Sequence, residues 1–309
     1  MMEHALLERH GEQAGASDDM RLYFLDHGGN RVLSATSDDG GFEVLVDACC
    51  AGPDGIAIDT ARGHLYWTNM GVPSRNDGFI MRCDLDGGDL TTIVPPGLTH
   101  TPKQLLIEPR GGHLYWCDRE GMRVMRCKLD GSSLETLVQT GYGAHQQADA
   151  RNWCVGLALD VEREQIYWTQ KGATKSNTGR ILRAPLNPRR KGVSPASRDD
   201  IDTLFDHLPE PVDLELDAAT MTLYWTDRGA PPFGNTLNRS RLQQRDEMGL
   251  HAEVLLDGFN EAIGLSVHPY RNVAYVSDLG GTIRRVSLDG SDTHVVLRDA
   301  GNLTGIVAV

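Results

Sequence analysis

Six times along this 309-residue chain a small or aliphatic residue precedes a tyrosine and a short tail that ends in an acid or amide. The copies are Leu22-Tyr23-Phe24-Leu25-Asp26, Leu65-Tyr66-Trp67-Thr68-Asn69, Leu114-Tyr115-Trp116-Cys117-Asp118, Ile166-Tyr167-Trp168-Thr169-Gln170, Leu223-Tyr224-Trp225-Thr226-Asp227 and Ala274-Tyr275-Val276-Ser277-Asp278. Their tyrosines lie 43, 49, 52, 57 and 51 residues apart. A period of that length, filled with short strand-like pieces, predicts a β-propeller with one four-stranded blade per repeat.

Before each tyrosine strand, from the second copy on, comes a short apolar run, as in Gly55-Ile56-Ala57-Ile58-Asp59 and Gly156-Leu157-Ala158-Leu159-Asp160. Such runs suit strands buried on both faces, here the innermost strand beside a central channel. A third strand follows, then an Asp-Gly turn such as Asp86-Gly87 or Asp130-Gly131, where Gly tolerates positive φ and Asp bonds its own backbone. No inner strand precedes Tyr23, but Gly305-Ile306-Val307-Ala308-Val309 has that pattern with no tyrosine strand after it. The C-terminal strand is therefore expected to complete the first blade and seal the ring, removing exposed sheet edges. The expectation is an all-β, six-bladed propeller of four-stranded antiparallel blades over residues 20–309, preceded by a polar tail over 1–19.

The six motif copies resemble the YWTD propeller, or LDL-receptor class B repeat, over nearly the whole chain. The resemblance implies the six-bladed fold. Fold alone carries little about activity, because propellers serve unrelated functions. The cysteine-rich modules and membrane span of receptor members are not seen, so receptor-style ligand uptake is not carried over. The resemblance to stand-alone members implies instead an accessory enzyme of microbial metabolism, secondary metabolism included.

A net charge of −13 argues against a nucleic-acid partner, whose phosphates demand basic patches. No run of 18 apolar residues suggests a membrane helix, and the N-terminus lacks the apolar core of a signal peptide. A cytoplasmic monomer with reduced cysteines is expected. Cys83, Cys117 and Cys127 read as small core residues, and Cys49-Cys50 as part of a connection between blades. The Asn187–Asp200 insertion, with Arg189-Arg190-Lys191, reads as a solvated outer loop.

In a propeller, the loops into each inner strand and those between second and third strands share one face around the channel mouth, where small molecules bind. Three second-to-third loops are extended, at 70–78, 171–179 and 228–235, and the lead-in loops before Lys103 and Trp153 are long. Surplus loop on one face points to a pocket. Aligned inner strands give Asp54, Lys103, Val155, Val212, Ile263 and Thr304 in one register, and Gly55, Gln104, Gly156, Asp213, Gly264 and Gly305 in the next. Asp54, Lys103, Gln104 and Asp213 break the small-or-apolar rule. Polar groups there must be satisfied by one another, by water or by a ligand.

The resulting assignment makes Asp54, Lys103, Asp213 and His145 catalytic. Gln104, Trp153, Lys171, Arg228, Tyr142, Glu261 and Thr304 would bind substrate. Histidine titrates near neutrality, and His27, His100, His145 and His207 all fall in mouth-side loops. Trp153 is a candidate stacking wall, with a lid packed on the channel as the alternative. Lys171 and Arg228 are candidate partners for an anionic or carbonyl oxygen. The activity read from this set is cofactor-independent acid/base or electrostatic chemistry on a small organic molecule: cyclisation, isomerisation, elimination or hydrolysis. Two other readings stay open. One is a protein-interaction scaffold. The other is a calcium-dependent, lactonase-like hydrolase using Asp54, Asp213, Glu261 and Asn302, although Lys103 would place a cation in that ring. The recurring motif acids are assigned to the fold rather than to the site.

Overall fold

Along each motif strand the tyrosine and the residue after it point to opposite faces, as period-2 geometry requires. That alternation builds the ring. In the computed structural model, which describes residues 19–309 except 39, 49, 247 and 248, Trp168 packs back on Tyr115 and Val124 of the preceding blade. Trp116 does the same with Tyr66 and Ile80, Trp225 with Tyr167 and Ile181, and Trp67 with Tyr23 and Val32. All four indoles are essentially inaccessible. The core is thus a series of inter-blade seams. The tail 1–18 and Cys49 lie outside the described residues.

Six four-stranded antiparallel sheets result. From the axis outward, blade I is Leu303–Ala308, Arg21–Asp26, Arg31–Thr36 and Glu43–Val46. The inner strands of blades II to VI are Pro53–Asp59, Pro102–Glu108, Cys154–Asp160, Pro211–Asp217 and Ala262–His268. The C-terminal strand closes blade I as the sequence predicts: Leu22, Tyr23 and Phe24 pair with Ala308, Val307 and Ile306. Arg21 and Val309 exchange both backbone bonds, at 2.8 and 2.9 Å.

Near the axis, adjacent inner strands touch backbone to backbone. A Cβ on Gly156 would sit 1.9 Å from the Val212 carbonyl oxygen, and one on Gly305 2.4 Å from that of Asp54. Only glycine fits there. Inner strands also leave unpaired backbone groups on the channel side, and motif hydroxyls take up some of them. Thr68 donates to the Lys103 carbonyl at 2.9 Å, Thr169 to that of Val212 at 2.8 Å and Thr226 to that of Ile263 at 2.6 Å. Each also accepts an inner-strand amide of its own blade, from Gly55, Gly156 and Asp213 respectively. Ser277 donates to the Thr304 carbonyl, and in blade III Cys117 donates to that of Gly156 at 3.3 Å. Blade I has Leu25 at this position, and Thr304 bonds the Pro53 carbonyl instead, at 2.9 Å.

The motif acids fasten the connections between blades. Asp118 accepts from the amides of His100 and Thr101, Asp227 from Glu210 and Gly229, and Asp26 from Gly29 and Asn302. The 187–200 insertion differs from its sequence reading. Arg189, Arg190 and Lys191 are exposed, but Arg198 is buried, ion-paired with Asp200 at 2.8 Å and donating to the carbonyls of Leu137 and Pro185. Pro195 accepts the Gln139 amide. The insertion therefore covers the outer edge of blade III, a strand edge that would otherwise be open to pairing.

Candidate functional site at the channel mouth

The residue after each motif acid and the residue leading into the next blade's inner strand meet at the channel mouth. In blades III, IV and V the first of these is a cation. Arg119 lies over the Trp153 ring at 5.1 Å, Lys171 pairs with Glu210 at 2.7 Å, and Arg228 pairs with Glu261 at 3.0 Å. Lys171 also lies over the Trp153 ring, at 5.6 Å, and Arg228 reaches Glu210 at 3.4 Å. One indole and three cations thus form an arc over consecutive blades. Cation–π contact and ion pairing both hold Lys171, while burial pulls its ammonium below the ordinary lysine pKa. Trp153 is fixed by its Nε1–H, which donates to the Gln147 carbonyl at 2.7 Å.

Beneath the arc the channel wall is divided. Val155, Val212 and Ile263 cluster with Leu279 on one side. On the other, Asp54 and Lys103 form a buried ion pair, 3% and 7% exposed. Lys103 Nζ also touches Met70 Sδ at 3.2 Å. Burial lowers the Lys103 pKa against the opposing pull of Asp54, and the charge of Arg119 lowers it further. Asp213 is driven well above the usual carboxylate range, first by burial and then by the charge of Asp54. The Asp54–Lys103 ion pair thus stands beside an Asp213 carboxyl whose burial favours its neutral form. It combines a cation, a carboxylate and a neutral acid within one apolar-walled space, the materials of proton transfer at a polarised oxygen.

The structure brings together Asp54, Lys103 and Asp213, and above them Trp153, Lys171, Arg228 and Glu261. It uses Gln104 and Thr304 elsewhere. The Gln104 amide spans the channel, accepting from Leu157 and Leu214 amides at 2.7 and 3.0 Å and donating to the Leu214 carbonyl at 3.0 Å. It satisfies the backbone of two other blades because inner-strand edges have no further strand to pair with. Thr304 is held by Pro53, as above. His145 sits exposed on the short helix Gly143–Gln147, and Tyr142 before it is 63% exposed. Among the described residues no hydrogen bond or ion pair joins either to the buried trio. Of the other loop histidines, His100 bonds Thr101 and Gln147, and His207 is exposed.

The proposed calcium donors do not fit that ion. Asp54 is paired with Lys103, Glu261 with Arg228, and the Asn302 amide donates to the Leu279 carbonyl at 2.9 Å. Three of the four donors are thus matched to a cation or sit apart, and among the described residues no group of three or more His, Cys, Asp or Glu is placed to hold a metal, which is the wrong surrounding for a hard divalent ion.

Arg119, Glu210 and Glu120 belong to the arc but were not singled out from sequence. Glu210 is wholly buried, and Glu120 pairs with Arg119 at 2.7 Å. The signal was available in the residues following the six motif acids: His27, Met70, Arg119, Lys171, Arg228 and Leu279. Three consecutive cations in that series mark the arc.

A protein of Pyricularia oryzae named low-density lipoprotein receptor-related protein 1 is 42% identical over 311 residues, covering 94% of this chain and 98% of that one. The chain belongs to the LDL-receptor-related YWTD propeller family. A second relative, a Cochliobolus heterostrophus protein named 3-hydroxyacyl-CoA dehydrogenase-like protein LAM1, is 43% identical over 265 residues. That match covers 82% of this chain and 55% of the relative, so this propeller spans about half of that protein's length. Among solved structures, a chain of a nidogen/laminin complex superposes with a TM-score of 0.71 at 18% identity, over 94% of this propeller and 98% of that chain. A gluconolactonase from Xanthomonas campestris gives 0.56 at 18% identity, over 83% and 78% of the two chains. At that identity both share the fold alone with this YWTD propeller. No protein-family profile matches the chain.

Proposed function

We propose that this YWTD propeller binds a small carbonyl-bearing organic molecule at the channel mouth and acts on it by acid/base chemistry without an organic cofactor. The observation that carries the reading is the buried Asp54–Lys103 pair beside the buried Asp213 carboxyl, on the same channel ring as Val155, Val212 and Ile263. Lys103 would stabilise negative charge developing on the substrate oxygen. Asp213 would donate a proton and Asp54 would hold the ammonium in place. Trp153 supplies a flat wall, with Lys171 and Arg228 orienting the polar end of the molecule.

The charge arithmetic narrows the ligand. Arg119, Lys171, Arg228 and Lys103 each have a carboxylate, in Glu120, Glu210, Glu261 and Asp54, so the mouth is close to balanced. A neutral or singly anionic molecule suits it better than a polyphosphate or a nucleic acid. Cyclisation, isomerisation, elimination and hydrolysis at a carbonyl all fall within this chemistry. The reading takes the protein as a cytoplasmic monomer that needs no membrane. In support, Cys83, Cys117, Cys127 and Cys154 carry free thiols, and all four are buried.

The test is a thermal-shift screen of lactones, ketones and keto acids on the full chain. Each hit is then measured by calorimetry against Lys103→Met, Asp213→Asn and His145→Ala. Binding that is lost in the first two variants and kept in the third supports the site. Hits indifferent to Lys103→Met and Asp213→Asn would overturn it in favour of an interaction surface.

A further inference from the structure

At the end of the channel opposite the mouth, blades III, IV and V leave a cleft of about 400 Å³. Its walls are largely apolar, with Leu106, Leu159, Leu214, Leu216 and Val161 among them. Glu215 lies at its inner end and also lines the smaller channel cavity of about 130 Å³, so the carboxyl faces open space while protein surrounds it. The cleft and the mouth cluster share no residue.

The acids around this cleft differ in one respect. Glu108 accepts the Gly111 amide at 2.6 Å and lies 3.8 Å from His113. Asp160 is paired with Arg163 at 3.0 Å, and Glu162 with Arg110 at 2.7 Å. Glu215 accepts the Val267 amide at 3.2 Å, and among the described residues it forms no ion pair. A carboxyl at the end of an apolar cleft, lacking a cation of its own, is completed by a cation that arrives with an apolar body.

We propose that the basal cleft is a second ligand site, which takes a small apolar ammonium with its charged end against Glu215. A neutral molecule of the same shape gains only the apolar walls, and an anion meets Glu108, Asp160 and Glu162 at the rim. The site does not depend on the mouth chemistry and holds whether or not that reading survives.

Burial raises the Glu215 pKa to about 8, so in the empty protein the group is mostly neutral at pH 7. An ammonium needs the ionised form. Its affinity therefore rises with pH, up to about tenfold per unit, and levels off above about pH 8. Asp213 and Asp217 on the same strand, Asp160 on the blade IV inner strand, Lys103 and Glu108 on that of blade III, and His268 on that of blade VI are the charged or titratable groups on the elements around it. Of these, Asp213 is coupled to it in one direction: ionised Glu215 helps to hold the Asp213 carboxyl high, while Glu215 itself is set by burial against the bond from the Val267 amide.

The experiment is isothermal calorimetry on the full chain from pH 6 to 9, with phenethylammonium and 2-phenylethanol as probes. The expected result is ammonium affinity that climbs to pH 8 and alcohol affinity that stays flat. Glu215→Gln should abolish the climb and bring the two probes within about threefold. Ala218→Trp fills the cleft from its rim and should abolish binding of both, and it decides the matter if Glu215→Gln fails to fold. No saturable binding of either probe at millimolar concentration would overturn the proposal. So would ammonium binding that neither variant changes.

Discussion

The two ends of the channel handle buried charge in opposite ways. At the mouth three of the four cations have a carboxylate supplied by the neighbouring blade, Lys103 with Asp54, Lys171 with Glu210 and Arg228 with Glu261, and Arg119 pairs with the adjacent Glu120. At the base Glu215 stands in apolar surroundings with one backbone amide. The mouth, Asp213 apart, balances its charges in pairs and uses them to shape a site. The base relieves its charge by holding a proton. Replacing a charged residue should therefore have opposite effects on stability at the two ends.

The largest effect is expected at the mouth. Lys103→Met leaves Asp54 buried without its partner and should destabilise by about 3–5 kcal/mol in urea titration. Adding Asp54→Leu should recover most of that loss, because an apolar pair of similar volume replaces the ion pair. If the double variant is no better than the single one, the mouth pair does more than balance its own charge.

At the base the sign reverses. A carboxyl whose folded pKa is raised favours folding fully below its unfolded pKa, near 4.5, and loses that contribution as pH rises through about 8. Glu215→Gln should therefore be close to neutral near pH 5 and should raise the melting temperature relative to the parent by pH 8. Asp227 is raised to about 7 by burial and contributes in the same direction, so a residual slope in the variant is expected. Parallel melting curves of parent and variant across pH 5–8 would show that Glu215 does not carry a buried proton.

The same contrast governs what could be read from the sequence. Motif spacing and alternation fixed the blades, and the orphan Gly305–Val309 strand implied the closure, because both follow from local pattern alone. Asp54, Lys103 and Asp213 were legible as breaks in an otherwise small or apolar register. Glu215 was hidden because it falls inside Asp213-Leu214-Glu215-Leu216-Asp217, which reads as one more apolar strand ending in an acid. Only alignment two positions beyond the glycine register exposes it, against Ala57, Leu106, Ala158, Ser266 and Val307. Gln104 broke the register as clearly as Lys103 did, yet its amide is taken up by backbone. Whether a polar side chain meets a backbone edge or open space is set by neighbouring blades, and one strand's sequence does not encode it. His145 carried the right chemistry for catalysis, but the 141–153 loop turns it outward.

Smaller effects separate the stitch between blades from either site. Thr226→Val keeps the side-chain shape but removes the bond to the Ile263 carbonyl and the acceptor for the Asp213 amide. Two buried backbone groups are left without partners, so a loss of about 1–3 kcal/mol is expected in chemical denaturation. Because Asp213 belongs to the mouth trio, ligand affinity there should weaken as well, while binding at the basal cleft stays unchanged. Equal weakening at both ends would mean that blade V moves as a whole, and the two sites would then be coupled.

The smallest effect is expected at Cys117, where blade III uses a thiol in the position that blades II, IV, V and VI give to a hydroxyl. Its donation to Gly156 at 3.3 Å is a weak bond, and the side chain also packs with Val124 and Cys154 in the seam between blades III and IV. Cys117→Thr would install a stronger donor to the same carbonyl and an acceptor for the Gln104 amide, as Thr68 provides for Gly55 in blade II. Against that gain stands a hydroxyl in an apolar seam. The two oppose each other closely, so the net change should stay within about 1 kcal/mol in urea titration. A loss as large as that of Thr226→Val would show that the thiol is held for its packing rather than its hydrogen bond. The blade III seam would then be a packing joint, unlike the hydrogen-bonded joints of blades II, IV and V.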